Sequence, residues 1–221
     1  HQEYLCYEQG EASRTTGART PQDWLAVRDK FEPTATRFWE TVKAHPDLGP
    51  CLKGKVLDMG AGTCWLTADL SQQPQIAEVY ALDLSEKFLR ETGMTVFALL
   101  GGQEAKVRLV TSDFATVPFP DKHFDLVLFM GSLHHAVEPV PVLREAARVA
   151  RPGGAVLVLE HPHPWRAIGR ARREAAAQSR GMVTERAYLS REWRRLLRQA
   201  DVGTWQEFRF DLSNALGWKK A

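Results

Sequence analysis

What the chain lacks narrows it first. Its 221 residues hold only three cysteines, Cys6, Cys51 and Cys64. An odd number without metal-ligand spacing argues against a secreted disulfide framework and a zinc module, and fits a reducing, cytoplasmic setting. No apolar run approaches the roughly 20 residues that a membrane-spanning helix needs. The first residues are polar and aromatic, unlike a secretory leader. The chain opens on His1 rather than methionine, which leaves trimming or tagging open. Internal repeats and low-complexity tracts are missing. Neither sign of charge dominates: 29 Lys and Arg against 27 Asp and Glu give a net +2, which names no partner. The 44% hydrophobic fraction is ordinary, and the length favours one domain with a full core.

Charge is nevertheless uneven. From Arg166 to Arg198 arginines greatly outnumber acids. The bland reading is a solvated helical face. The sharper one is a surface for an anionic substrate, a carrier-bound acyl group or RNA.

Residues 1–48 read as an N-terminal arm and helical cap. The first 19 are polar, with Tyr4 and Tyr7 as anchors. Thr20-Pro21-Gln22-Asp23 has the chemistry of a helix start: a capping hydroxyl, proline at the first helical position, and an acid at the positive end. Trp24, Val27 and Phe31 follow at helical spacing. Pro33 breaks that run and begins a second helix with Phe38, Trp39 and Val42 inward.

Residues 49–221 alternate strand and helix. Strands read at 55–58, 78–83, 106–111, 124–130, 155–160 and 204–210, and helices at 63–73, 86–99, 139–150 and 190–200. Ser85 and Ser190 are N-cap candidates and Gly153 a stop. The last helix shows a stripe of Leu196, Leu197 and Ala200, with Trp193 as packing. The strands at 55–58, 124–130 and 155–160 are continuously apolar, as when helices cover both faces. Right-handed crossovers then give an open, doubly wound, mostly parallel α/β sheet. Ligands of such sheets bind beyond the carboxyl ends of the strands, near the reversal of strand order. Asp58, Asp83, Asp113 and Met130 all fall there.

The most informative segment is Val56-Leu57-Asp58-Met59-Gly60-Ala61-Gly62-Thr63. An apolar strand ends at Asp58 and a glycine pair follows, before a helix with Leu66 and Leu70 one turn apart. Glycines accept unusual φ/ψ values and let the backbone close on a ligand. A pyrophosphate site prefers a third glycine for close helix–strand packing. Here that position is Trp65, which argues for a nucleoside ligand without phosphate.

Asp58-x-Gly60-x-Gly62-Thr63 resembles the first motif of the class I S-adenosylmethionine-dependent methyltransferases. Tyr80-Ala81-Leu82-Asp83-Leu84-Ser85 resembles the second, Thr111-Ser112-Asp113-Phe114 the third, and Phe124 to Met130 the fourth strand. Leu143 to Val149 with Arg151-Pro152-Gly153-Gly154 resembles the helix and turn before strand five. The likeness runs over roughly residues 50–211, and motifs in order carry far more weight than a lone G-x-G.

That resemblance implies a Rossmann-like fold and S-adenosylmethionine as cofactor. It implies that Asp58, Gly60, Ala61 and Gly62 line the methionine end, with Asp58 toward the amino group. Asp83 would accept from the ribose hydroxyls, and Leu84 would pack on adenine. Asp113 would accept from the adenine amino group beside the Phe114 N–H, and Met130 and Gly131 would flank the sulfur. Without a ligand, Asp83 and Asp113 could simply cap local turns.

The family closes its sheet with two antiparallel strands after the last helix. Here only Thr204 to Asp211 reads as a strand, so the final strand is missing, truncated or supplied by another chain. Residues 161–189 form an insertion with a helix near 166–179, a candidate substrate lid.

His134 and His135, just past the fourth strand, are the candidate general bases, since histidine changes charge near neutral pH. His161-Pro162-His163-Pro164-Trp165 invites a metal reading. The prolines do not present both histidines on one helical face, so no metal is expected and the loop is read as shaping the acceptor pocket.

The leading function is methyl transfer to a small-molecule acceptor. An RNA methyltransferase is the alternative, weakened because Met130-Gly131-Ser132-Leu133-His134-His135 stands where base-amino methyltransferases carry Asn/Asp-Pro-Pro-Tyr/Phe. A non-catalytic cofactor-binding scaffold is the third reading. No membrane partner is expected, and a homodimer is left open.

Overall fold

The computed structural model describes residues 20–23, 25–26, 33–160, 188–209 and 216–220. The expectations for Cys6, Tyr4, Tyr7, Trp24, Val27, Phe31, His161, His163, Trp165 and the 166–179 helix lie outside the described residues.

At the amino end, the Asp23 amide donates to Thr20 Oγ1 at 3.2 Å while Asp23 Oδ2 accepts from the Thr20 amide at 2.7 Å. This is the reciprocal satisfaction of orphan donors expected at a helix start. Helix α1 (Pro33–Ala44) follows. Phe38, Trp39 and Val42 are fully buried, each contributing about 1.5–3 kcal/mol of transfer free energy.

The sheet then builds in sequence: β1 (Gly54–Met59), α2 (Trp65–Ser71) and β2 (Ile76–Asp83). Helix α3 (Glu86–Phe88) passes through a π-helical stretch, Leu89–Gly93, into α4 (Met94–Leu99). Next come β3 (Val107–Thr111), β4 (Phe124–Met130), a 3-10 turn at Leu133–His135, α5 (Pro139–Val149) and β5 (Ala150–Glu160). Helix α6 (Ser190–Ala200), β6 (Trp205–Arg209) and β7 (Leu216–Lys220) close the chain. The order is β3-β2-β1-β4-β5-β7-β6. Strands β1 to β5 are parallel, and β7 pairs antiparallel with both β5 and β6.

The final strand is thus supplied by the chain itself. Val158 lies opposite Trp218, which lies opposite Glu207. Leu216-Gly217-Trp218-Lys219-Lys220 is short, interrupted by glycine and charged at its end, and so carries no period-2 signal. It is a strand because it fills the slot between two others.

Alternation sorts the core into two layers. Val56, Leu126, Leu128, Leu157 and Leu159 face α1, α2 and α4. Leu57, Val127, Phe129, Val156 and Val158 face α5 and α6. Period-2 geometry converts three apolar runs into two separate cores.

Strand β5 and helix α6 begin differently from expectation. Strand β5 begins at Ala150 and bulges, with Phe124 opposite Ala150 but Leu126 opposite Ala155, so Gly153 at φ +76° sits in the bulge. Ser190 is the first helical residue of α6 rather than its cap, because Glu192 reaches back to accept the Leu189 amide at 2.8 Å. Trp193, Leu197 and Ala200 are buried, while Leu196 is only half-buried. Ser85 does cap α3, its hydroxyl accepting from the Phe88 amide at 3.1 Å.

Candidate functional site

The strand order reverses between β1 and β4, and the proposed site residues gather at the carboxyl ends on either side of that point. Gly60 turns the chain at φ +85°. A Cβ there would lie 2.6 Å from Ser132 Cβ and 3.1 Å from the Phe114 ring. Only glycine meets both the backbone angle and the close approach. The Gly60 and Ala61 amides donate to the Leu82 carbonyl at 2.8 and 2.9 Å, tying the turn to β2. Gly62 (φ +51°) and Cys64 (φ +56°) also take left-handed backbone, so α2 starts two residues later than expected and without a side-chain cap.

Asp83 ends β2 and is half-buried. Its Oδ2 accepts the Gly62 amide at 3.0 Å and its Oδ1 accepts the Ser85 amide at 3.3 Å. Burial raises its pKa and outweighs these amide donors, while the nearby His135 charge acts in the opposite direction. Leu84, the next residue, is one of three large hydrophobic side chains exposed among the described residues.

Asp58 is buried under the turn, its Oδ2 accepting the Thr67 hydroxyl at 2.7 Å. Desolvation pushes its carboxyl up to about 7; the Thr67 bond pulls it down and the Asp83 charge adds to the rise. Burial likewise pushes the Cys64 thiol up, which makes it a packing residue rather than a nucleophile.

The segment after β4 is bolted to the turn. Gly131, at φ +61°, donates to the Leu159 carbonyl at 2.8 Å. Ser132 Oγ donates to the Met59 carbonyl at 2.5 Å. Glu160, 3% exposed at the end of β5, accepts the Leu133 amide on Oε1 at 2.9 Å and meets His134 Nδ1 with Oε2 at 2.9 Å. The His134 and His135 rings lie 4.1 Å apart at 39°.

The structure therefore brings Asp58, Gly60, Ala61, Gly62, Asp83, Met130, Gly131, His134 and His135 into one region. Phe114 joins them through its ring, edge-on to Phe129 at 6.1 Å. Asp113 is engaged locally: its Oδ1 accepts the Ala115 and Thr116 amides at 2.7 and 3.0 Å. Among the described residues no three His, Cys, Asp or Glu side chains are grouped to hold a metal ion.

Four residues were not singled out from sequence. Glu160 had a signal, a charge directly continuing the apolar run of β5. Gly93, a glycine inside a helix, had another: a Cβ there would lie 2.9 Å from Cys64 Sγ and 3.1 Å from the Gly62 carbonyl. The π-helical stretch carries it against the glycine turn. Ser132 and Thr67 act through tertiary contacts that leave no local pattern.

A cofactor would need open backbone, a carboxylate for hydroxyls and an apolar face for a base. Among the described residues nothing within 4 Å fills the Cβ position of Gly131, and the nearest atom at Gly62 is 4.0 Å away. With Asp83 bonded to the Gly62 amide and Leu84 exposed beside it, the residues present fit a nucleoside.

Residues 57–158 match the methyltransferase domain family. The demethylmenaquinone methyltransferase of Mycobacterium marinum is 36% identical over 168 residues, 71% of this chain and 67% of that protein. The malonyl-[acyl-carrier protein] O-methyltransferase of Halorhodospira halophila is 35% identical over 152 residues, 61% of this chain and 48% of that one. An S-adenosylmethionine-dependent methyltransferase structure from Aquifex aeolicus superposes with TM-score 0.59 at 21% identity, covering 84% and 96% of the two chains, and supports the fold. The chain belongs to the class I S-adenosylmethionine-dependent methyltransferases.

Proposed function

We propose that the carboxyl-end crevice binds S-adenosylmethionine through Asp58, Gly60, Ala61, Gly62, Asp83, Leu84, Asp113, Phe114, Met130 and Gly131, and that the acceptor is a small molecule methylated by direct in-line displacement. The observation that carries this is Asp83, a carboxylate held by two backbone amides beside open left-handed glycines. The sulfonium of the cofactor supplies an already electrophilic methyl group. The chain's residues then have to orient the two partners and exclude water, and alignment alone supplies about 7–11 kcal/mol.

Asp83 offers charge-assisted acceptance to paired hydroxyls, roughly twice as strong as neutral bonding. Asp58 offers a negative charge toward an ammonium. Asp113 keeps Oδ1 for its own turn, leaving Oδ2 for the adenine amino group in this reading. Of the two histidines, His134 takes the base role because Glu160 orients it, while the His135 charge is felt by Asp83. The relatives named above are methyltransferases of demethylmenaquinone and of malonyl-[acyl-carrier protein], which supports a metabolite-type acceptor over nucleic acid. Within the arginine-rich region, Arg194 is spent on a two-bond pair with Glu207 at 2.6 and 2.8 Å. We read the odd cysteine count as that of a cytoplasmic enzyme.

The test is incubation of the protein with a cell extract and methyl-labelled cofactor, followed by mass spectrometry. A labelled small molecule is expected. Label found in RNA, or in no component, would contradict the reading.

A further inference from the structure

Residues 112–123, between β3 and β4, carry Asp113 and Phe114 and form neither helix nor strand. Pro118 and Pro120 lack the N–H that a strand ladder needs. The loop nevertheless borders the crevice. The Ser112 amide donates to the Asp83 carbonyl at 3.1 Å, and the Phe114 ring lies 3.1 Å from the Cβ position of Gly60. Ordering each loop residue costs backbone entropy, so tertiary bonds have to hold it. Two locks do so, and they meet between Thr116 and Val117. The first is local: Asp113 Oδ1 accepts the Ala115 and Thr116 amides, and Ser112 Oγ donates to the Thr116 carbonyl at 2.8 Å. The second comes from α5. Arg148 donates to the Val117 carbonyl at 3.3 Å through Nη2, and to the Phe119 carbonyl and Asp121 Oδ1 at 2.9 and 2.8 Å through Nη1. Its other N–H groups go to the two oxygens of Glu145 at 2.6 and 2.8 Å. Glu145 Oε1 in turn accepts the Val117 amide at 2.9 Å. Val117 is therefore gripped at its N–H by Glu145 and at its carbonyl by Arg148. Every guanidinium donor is used, in a planar fork that the single ammonium of a lysine does not reproduce. The Arg148 and Val149 carbonyls complete the strap, accepting the Lys122 and His123 amides at 2.9 and 2.8 Å.

We propose that Arg148 and Glu145 are positioning residues for cofactor recognition: by fixing Val117 they fix the turn that Asp113 builds, and so set where its carboxylate meets the adenine amino group. This rests on the cofactor reading above. It adds that selectivity for the base is set from α5 through the loop, rather than by Asp113 alone.

The probes are S-adenosylhomocysteine and S-inosylhomocysteine. They differ at the base, where the second carries a carbonyl oxygen in place of the amino group and so turns an acceptor toward the Asp113 carboxylate. The unsubstituted protein is expected to prefer the adenosyl compound by at least about tenfold in calorimetry. Arg148→Lys keeps the charge and loses the fork. It is expected to cut that preference by at least about threefold. Hydrogen exchange at the Ala115 and Thr116 amides of the empty protein should quicken by about tenfold or more. The Arg148 side chain is 33% exposed, so the substitution leaves the core packing untouched. Glu145→Gln still accepts the Val117 amide but offers the guanidinium one acceptor fewer. It is expected to fall between the two proteins, and it carries the test if Arg148→Lys does not fold. A packing role alone would lower the urea midpoint and leave the preference unchanged; an unchanged preference in either variant overturns the proposal. A reduced preference without faster exchange overturns the loop as its route. Equal binding of both compounds by the unsubstituted protein removes the adenine contact and the proposal with it. Failure of the cofactor reading is separate, because then neither compound binds the unsubstituted protein.

Discussion

Cofactor binding should be linked to proton release at Asp58. The buried carboxyl sits at about 7 against an ordinary 3.8. A gap of about three units means that ionising it in the empty protein costs about 4 kcal/mol. The direction matters. Because the folded value is raised, this group favours the ligand-free fold fully below about pH 4, and the contribution is lost as pH climbs to about 7. The difference in unfolding free energy between the unsubstituted protein and Asp58→Asn should therefore shrink by about 4 kcal/mol between pH 4 and pH 7. An ammonium brought beside Asp58 favours the ionised form and expels the proton. At pH 6 about nine-tenths of the empty sites are protonated, so binding should release nearly one proton and weaken about tenfold relative to pH 8. Calorimetry in buffers of different ionisation enthalpy measures the release directly. The cofactor's own amine also titrates, and Asp58→Asn subtracts that part. Equal proton release by both proteins at pH 6 would refute the reasoning.

Other perturbations follow from single contacts. Thr67→Val removes the hydroxyl that lowers the Asp58 pKa, so the release should persist to higher pH and neutral-pH affinity should fall by calorimetry. In the proposed function Asp83 accepts two ribose hydroxyls, each such bond worth about 1.5–3 kcal/mol, so Asp83→Ala should lower affinity by at least about 10²-fold; unchanged binding would remove Asp83 from the site. Gly60→Ala forces a Cβ against Ser132 at φ +85° and should lower stability by roughly 1–3 kcal/mol in urea unfolding. Asp125→Ala strips the Lys55 amide of its 2.8 Å acceptor and Arg151 of its ion-pair partner, which predicts a loss of about 1–3 kcal/mol in the same assay.

Much of the frame could be read from local pattern. Continuous apolar runs marked β1, β4 and β5 because both faces are buried, and the glycine turn announced itself because strained backbone demands a particular residue. The helix starts at Thr20 and Ser85 were legible for the same reason: a capping side chain acts within a few residues of its own position. What escaped depends on distance along the chain. Strand β7 exists through pairing with β5 and β6, so its own residues carry little trace of it. Glu160 meets a histidine 26 residues away, and Ser132 a carbonyl 73 residues away. Adjacent His134 and His135 looked equivalent in sequence; the carboxylate of another strand makes them different.

The central claim is that successive strand ends converge on one nucleoside. A crystal structure with S-adenosylhomocysteine tests it most directly. The ribose should sit on the Asp83 carboxylate, the adenine against Leu84, and the sulfur between the Gly60–Gly62 turn and Gly131. A ligand bound elsewhere, or a ribose out of reach of Asp83, would contradict it.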